Sequence, residues 1–424
     1  MIKLDNLPVL NIKVDNRELD SQSLFVAIVG SRFNPLEHLE KVAESGCKYV
    51  MCERSQEELT KDFQNDINFI FVEDIVKSIQ ELGHKVAIQF KERGGQIIAI
   101  SGSNGKTTTK EMLFHLLDQN FSDQVICTQK NNNNHLGVPF SLFQIREETK
   151  FAIIELGSNH PGEIETLCKI AVPQVGITTN IGATHLEFFD TLENVYKEES
   201  VLGHYCDLFF QNTDDQFIKN FETTAKVKTF GVDAPDYKLE LKKQSVLVNG
   251  VELKNDAITG KHNFINLAVS FIIANSICPE KNFVEAAASF QPTANRSQWV
   301  KWHGAEVFLD AYNANPSSMV VAVDGFVEKI EESACVILGD MNELGSGSKE
   351  YHRELGAYLR RYPNLKKIFI GRFASDYALG LDEECECYDS VDAARRELKK
   401  LPEVTNYILI KGSRSLQLES ILDI

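Results

Sequence analysis

The chain has 424 residues, 61 acidic against 44 basic, giving a formal charge of −17. That excess excludes a general nucleic-acid or membrane-surface binder, because both partners are themselves anionic. Hydrophobic and charged contents of 43% and 25% are ordinary for a globular protein, and the length allows two to four domains. An anionic substrate must then be held by local cations and helix ends. No apolar run approaches the roughly 18 residues of a membrane span, and Met1-Ile2-Lys3-Leu4-Asp5 is no signal peptide, so a cytoplasmic protein is expected. The nine cysteines are scattered, and Cys385 and Cys387 are too close for a zinc knuckle. They read as reduced thiols filling cores.

Residues 1–93 alternate apolar runs (24–29, 49–52 and 69–72) with helix-like stretches, the pattern of a small α/β domain. Arg93-Gly94-Gly95 reads as a hinge. The run Ile97–Ser101 is a buried strand, Gly102-Ser103-Asn104-Gly105 a turn, and Lys106 the start of a helix through Glu111-Met112-Leu113. Such a strand–turn–helix aims backbone N–H groups and a helix N-terminus at one point, as a polyphosphate requires. Gly102, Asn104, Gly105 and Thr108 belong to that cradle. Lys106 reaches the β/γ-phosphates, and the Thr107 hydroxyl suits Mg²⁺. The strict P-loop pattern has a glycine where Ile100 stands, so this is a shortened GxxGKT variant. ATP is the expected ligand.

The runs 151–155 and 175–179 read as strands ending in polar residues, where a parallel sheet collects ligand groups. Glu155 at one strand end is the expected carboxylate for the Mg²⁺ of a P-loop site. His185 follows the other, within Thr184-His185-Leu186-Glu187, as a candidate metal or phosphate contact. Asn131 to Gly137, with Asn133 and Asn134, supplies amides for substrate or phosphate. Val246–Leu253 carries Asn249-Gly250 between apolar pairs, a hairpin signal.

Gln291–Asn295 breaks the alternation, and strands at 307–310, 335–339, 367–371 and 407–411 follow. Asn295-Arg296-Ser297 precedes Asp310-Ala311-Tyr312-Asn313-Ala314-Asn315-Pro316, a strand end running into a helix start. Arg296 can counter triphosphate charge, and Asp310 can hold a ribose or order that arginine. Asp340 to Gly345 and Lys411-Gly412-Ser413-Arg414 form one acidic and one basic strand end, suited to a zwitterionic substrate. The fold expected is α/β with three domains in series: a small N-terminal α/β domain (1–93), a central P-loop parallel-sheet ATPase domain (94–291) and a C-terminal Rossmann-like α/β domain (292–424).

The segments GSNGKTTTKE, NNNNHLGVP, ELGSNHPGEIETL, TNIGATHLE, GKHNFINLAVS, DAYNANPSSM, LGDMNELG and IKGSR, in this order, resemble the Mur ligase family. DAYNANPSSM with LGDMNELG is similar to the branch that adds D-alanyl-D-alanine to a UDP-muramoyl tripeptide. The resemblance covers about residues 97 to 415 well and the first 95 weakly. It implies an ATP- and Mg²⁺-dependent amide ligase of peptidoglycan synthesis, hence of cell-wall biogenesis, cell shape and division, working through an acyl phosphate. Small-molecule substrates and a monomer are expected. By motif, Lys106 and Thr107 hold phosphates and the first Mg²⁺ with Glu155, and His185 the second Mg²⁺. Asn263 and Asn266 meet the adenine side, and Arg296 and Asp310 close over the nucleotide. Tyr312, Asn313, Asn315 and the loop from Asp340 to Glu343 face the incoming dipeptide.

Three departures stand out. Relatives carry a carbamylated lysine after the THLE segment; counting from His185, that position is Glu199, and Lys197 points to another helix face. Glu199 is expected to bring its carboxylate directly to the second metal; otherwise it is a surface glutamate. In the first domain, Asp15-Asn16-Arg17 and Leu24–Ile28 approximate the family's UDP-binding pieces, but Asn34-Pro35-Leu36 lacks the usual histidine turn. Little chain precedes Asp15 for the leading helix usual in relatives. The alternatives are a paralogue acting on another carboxylate or amine, and a non-catalytic nucleotide sensor.

Overall fold

The structure is a computed structural model that describes residues 11–30, 33–330 and 334–423. The opening pentapeptide lies outside them. The chain forms two compact units, one of residues 1–99, 123–156 and 166–174, the other of 100–122, 157–165 and 175–424. The strand Gln96–Ser101 crosses from one to the other.

The first unit contains a four-stranded parallel sheet in the order Asn11–Lys13, Ser23–Val26, Tyr49–Glu53, Asn68–Val72. The strand expected to reach Val29 ends at Val26. Ala27 N–H still reaches the Met51 carbonyl at 2.9 Å, and Val29 is 40% exposed beyond that last cross-strand bond. The helix Ile75–Glu92 starts at Asp74, whose carboxylate accepts Lys77 N–H at 2.9 Å. It buries Ile75, Ile79, Leu82, Val86 and Phe90, one stripe at helical spacing. The expected hinge is the end of this helix: Gly94 has φ +88° and Gly95 N–H bonds the Phe90 carbonyl. The parallel pair Val125–Cys127 and Phe151–Glu155 completes the unit's strands among the described residues.

In the second unit, Val175–Thr178, Leu208–Asn212, Lys226–Gly231 and Tyr237–Leu241 run parallel. The expected hairpin follows as Ser245–Val248 and Val251–Lys254, with Asn249 and Gly250 both at positive φ. The helix Lys106–Phe121 packs on Lys261–Ile277, whose Phe264, Leu267, Phe271 and Ile273 are all buried. A helix apolar all round belongs inside a core.

A six-stranded sheet closes the chain, in the order Gln298–Trp302, Ala305–Asp310, Tyr407–Lys411, Ala334–Gly339, Leu365–Ile370, Glu386–Tyr388, with only the first antiparallel. Phe308, Val336, Leu338, Phe369 and Leu409 enter one core cluster. Val307, Leu309, Cys335, Ile337, Ile408 and Ile410 enter another on the opposite face. Both faces are covered, which is why these strands read as unbroken apolar runs. Their C-terminal ends at Asp310, Gly339, Ile370 and Lys411 carry the polar loops described next.

Candidate functional site

Lys106 starts its helix as expected, with Gly105 at the N-cap and φ +80°. Gly102 has φ +118°, and a Cβ there would stand 2.8 Å from Thr179 N, so the loop passes too close to the next strand end for any side chain. Neighbouring strand ends brace this loop. Thr179 Oγ1 and Asn180 Nδ2 donate to the Asn104 carbonyl at 2.6 and 2.9 Å, and Asn180 Oδ1 accepts Asn104 N–H at 3.2 Å.

Glu199 is 2% exposed, which removes the surface-glutamate reading. Its Oε2 accepts the Gly102 backbone N–H at 2.6 Å, and Oε1 lies 4.0 Å from Lys106 Nζ. Ser158 Oγ stands 3.5 Å from Oε1, and Lys106 Nζ also donates to the Gly102 carbonyl. The Glu199 carbonyl takes the hydroxyls of Ser101 and Thr178 at 2.7 and 3.0 Å, so the last turn of the helix Leu192–Ser200 is fixed to two strand ends. Lys197 is exposed and faces Glu193 at 3.9 Å. Glu198 is spent elsewhere, accepting Gly162 and Ile164 N–H groups at 2.7 Å; burial raises its pKa, against the pull of those bonds.

His185 sits at φ +52° before the short helix Leu186–Phe189, with Nδ1 2.6 Å from Glu343 Oε2. The Glu343 carbonyl accepts Glu187 N–H at 3.1 Å, and His185 holds the Glu343 carboxyl below its ordinary pKa. Asn266 lies against the P-loop: a Cβ on Gly105 would come within 2.9 Å of its Oδ1. Asn263 is turned back on the Thr259 carbonyl at 2.8 Å. Thr107 and Thr108 occupy the first helical turn, the former 8% exposed.

Asn315 caps the helix Pro316–Lys329, accepting Ser318 N–H at 2.9 Å, and donates to Asn104 Oδ1 at 2.7 Å. Asn104 also reaches Ser317 Oγ at 3.0 Å. Arg296 covers the Tyr312 ring at 3.8 Å, a cation–π contact. Asp310 pairs with Lys411 at 2.5 Å and accepts Ser297 N–H at 3.1 Å. Burial alone would raise the Asp310 pKa, but the Lys411 ammonium outweighs it and the carboxyl lies below its ordinary value. Asn313 is exposed, its carbonyl accepting Lys411 at 2.9 Å.

The basic strand end expected at Lys411 and Arg414 is therefore already engaged. Lys411 is 2% exposed, and Arg414 pairs with Glu419. Asp340 is likewise spent, its two oxygens accepting Arg372 and Phe373 N–H groups at 2.9 and 3.0 Å.

Within the first unit, Glu155 is 3% exposed and its Oε1 accepts Asn133 Nδ2 at 2.9 Å. Asn134 instead turns the chain, accepting the N–H groups of Leu136 and Gly137 at 3.2 and 2.9 Å. Asp15 and Arg17 pair with each other at 2.6 Å, and that bond lowers the Asp15 pKa to about 2. Asn34 caps the turn Pro35–His38, accepting Leu36 N–H at 3.0 Å.

Ser317 and Arg372 were not singled out from the sequence. Each lies at or just past the C-terminal end of a parallel strand, or in the helix start that follows one, so the strand-end rule was the signal available for them.

The Mur ligase middle domain matches residues 100–274, and the Mur ligase glutamate ligase domain matches 295–414. The UDP-N-acetylmuramoyl-tripeptide–D-alanyl-D-alanine ligase of Bacillus subtilis is 30% identical over 97% of this chain and 92% of its own. That of Escherichia coli is 26% identical over 97% and 92%. A crystal structure of MurF from Acinetobacter baumannii superposes with a TM-score of 0.85 at 27% identity, covering 99% of this chain and 94% of that one. The Thermotoga maritima MurF in complex with ADP has the same fold, with a TM-score of 0.83 at 23% identity over 99% and 98%.

Proposed function

The chain belongs to the Mur ligase family, and from that premise we propose that it joins D-alanyl-D-alanine to a UDP-N-acetylmuramoyl tripeptide at the expense of ATP. The setting proposed is peptidoglycan precursor synthesis in the cytoplasm. Among the described residues no helix is long and apolar enough to cross a membrane. The three segments 1–93, 94–291 and 292–424 are proposed as its functional domains, and a monomer as its working state.

The observation that carries the reading is the tie between Glu199, the Gly102 N–H and Lys106 in one glycine-turned loop. In the first step a carboxylate oxygen of the tripeptide attacks the γ-phosphorus. The new O–P bond forms as the bond to the β-bridging oxygen breaks, and ADP leaves. The dipeptide amine then attacks the acyl carbon, phosphate leaves, and the amine loses a proton. In-line transfer of this kind needs positioning and charge neutralisation more than covalent help. Lys106 supplies the positive charge, and the loop's N–H groups orient the phosphates. Asn266 bounds the nucleotide beside Gly105, while Asn104 links the loop to Asn315 at the start of the helix Pro316–Lys329.

Mg²⁺ fits the donors present, which are hard oxygens of Thr107 and Glu199 with His185 as a further ligand. Among the described residues no group of three or more His, Cys, Asp or Glu could hold a metal ion by itself. When bound, it neutralises phosphate charge.

The test is ADP formation with Mg²⁺-ATP, UDP-muramoyl tripeptide and D-Ala-D-Ala, omitting each in turn. Strict dependence on all three is expected. Turnover indifferent to the muramoyl substrate would point to another carboxylate as acyl donor, and binding without turnover to a sensor.

A further inference from the structure

A polar cavity of about 960 Å³ opens among the loop Met341–Lys349, the segment Leu186–Asp190 and the turn at Arg372. Its lining includes Glu187, Asp190 and Glu343 as acids, with Lys349 and Arg372 as cations. Glu343 is also the residue in contact with His185, so the acidic side of the cavity adjoins the proposed phosphoryl site. Both cations are exposed, and among the described residues neither has a carboxylate partner.

The backbone beneath Arg372 is fixed. Asp340 accepts the N–H groups of both Arg372 and Phe373. Gly371, at φ +127°, lets the chain pass so close that a Cβ there would lie 2.5 Å from the Asp340 carboxyl. The Arg372 guanidinium lies over the Phe373 ring at 5.3 Å, and that ring stacks on His352 at 4.4 Å. His352 is itself held by the Met341 N–H at 3.0 Å. A planar cation on a braced turn, facing a polar cavity with acids on its other walls, is matched to a short zwitterion bound lengthwise.

Resting on the function proposed above, we propose that Arg372, assisted by Lys349, anchors the terminal carboxylate of the incoming dipeptide in this cavity. The ammonium end then lies toward Glu343 and Glu187, on the His185 side, where the acyl carbon is to be attacked. Asp340 is a positioning residue for Arg372, acting through the turn. The cationic end of the substrate site is thus moved from Lys411, which is held by Asp310, to the end of the strand Leu365–Ile370, on the far side of Ala334–Gly339 in the sheet.

The experiment measures steady-state kinetics of wild type, Arg372→Met and Lys349→Met at saturating Mg²⁺-ATP and UDP-muramoyl tripeptide. The varied substrate is D-Ala-D-Ala or its C-terminal carboxamide. Loss of a charge-assisted bond should raise KM for the dipeptide about 10- to 100-fold in Arg372→Met, with less effect in Lys349→Met. The carboxamide should bind wild type and Arg372→Met alike, and KM for ATP should stay unchanged. Both cations are exposed, so the variants should fold, as a melting curve checks. An unchanged dipeptide KM in Arg372→Met, or an equal rise for the carboxamide, would overturn the anchor while leaving the ligase reading intact. Absence of wild-type turnover with D-Ala-D-Ala would overturn both.

Discussion

The Glu199 carboxylate binds the Gly102 N–H at 2.6 Å through one oxygen and stands 4.0 Å from the Lys106 ammonium through the other. One buried side chain therefore holds both the turn of the phosphate loop and its lysine. An N–H and a cation there offset the hydration that burial removes from the side chain.

Replacing Glu199 by Ala should lower turnover about 10- to 100-fold, the scale seen when an orienting group near a metal is removed. It should also raise the Mg²⁺ concentration needed for half-maximal rate. Because a glutamate needs no CO₂ to carry its charge, the wild-type rate should not change in bicarbonate-free buffer. An unaltered Mg²⁺ titration in Glu199→Ala would confine the residue to bracing the loop.

Lys106→Ala removes the cation that faces transferred charge. ADP release should fall about 10²- to 10³-fold, as for loss of one main electrostatic stabiliser, with the far-UV spectrum intact. Normal turnover in this variant would refute the phosphate-loop assignment.

Asn315 both caps its helix and bridges to Asn104. Asn315→Ala should cost about 1 kcal/mol of stability and raise KM for ATP. Asn315→Asp keeps the cap acceptor but cannot donate to Asn104, so it should retain stability and still raise KM. Denaturant titration alongside ATP kinetics separates the two roles.

The Asp310–Lys411 pair should be a stability determinant. Lys411→Met leaves the largely buried Asp310 carboxylate without its counter-charge, at a cost of about 3–5 kcal/mol. The folded pKa of Asp310 is depressed, so the unfolded chain binds its proton more readily. The carboxylate's contribution is therefore present above the ordinary aspartate value near 4 and fades as pH falls through the folded one. Asp310→Asn should flatten the loss of stability in that acid range, as measured by denaturant midpoints against pH.

Much of the chain was legible without coordinates. The start of the phosphate-loop helix at Lys106, the Asn249-Gly250 hairpin and the buried strands of the last sheet rest on local rules: a glycine turn, a two-residue loop, and apolar runs covered on both faces. Glu199 was locatable by counting from His185. Its burial was not, because adjacent Glu198 and Glu199 differ only in which way each side chain leaves the helix Leu192–Ser200. One meets Gly162 and Ile164, the other Gly102.

Two of the charged groups expected at strand ends have partners within the chain. Lys411 and Asp340 stood out as charged strand ends, yet each is consumed by a partner distant in sequence, Asp310 for the first and the N–H groups of Arg372 and Phe373 for the second. Arg372 attracted no notice and is one of the cations left facing a cavity. By itself the sequence determined the elements, the parallel sheets and the phosphate loop, since these follow from short-range periodicity and turn chemistry. Only the tertiary structure decided which charges are spent on one another and which remain for a substrate, because neutralisation depends on distances of a few ångströms between residues far apart along the chain.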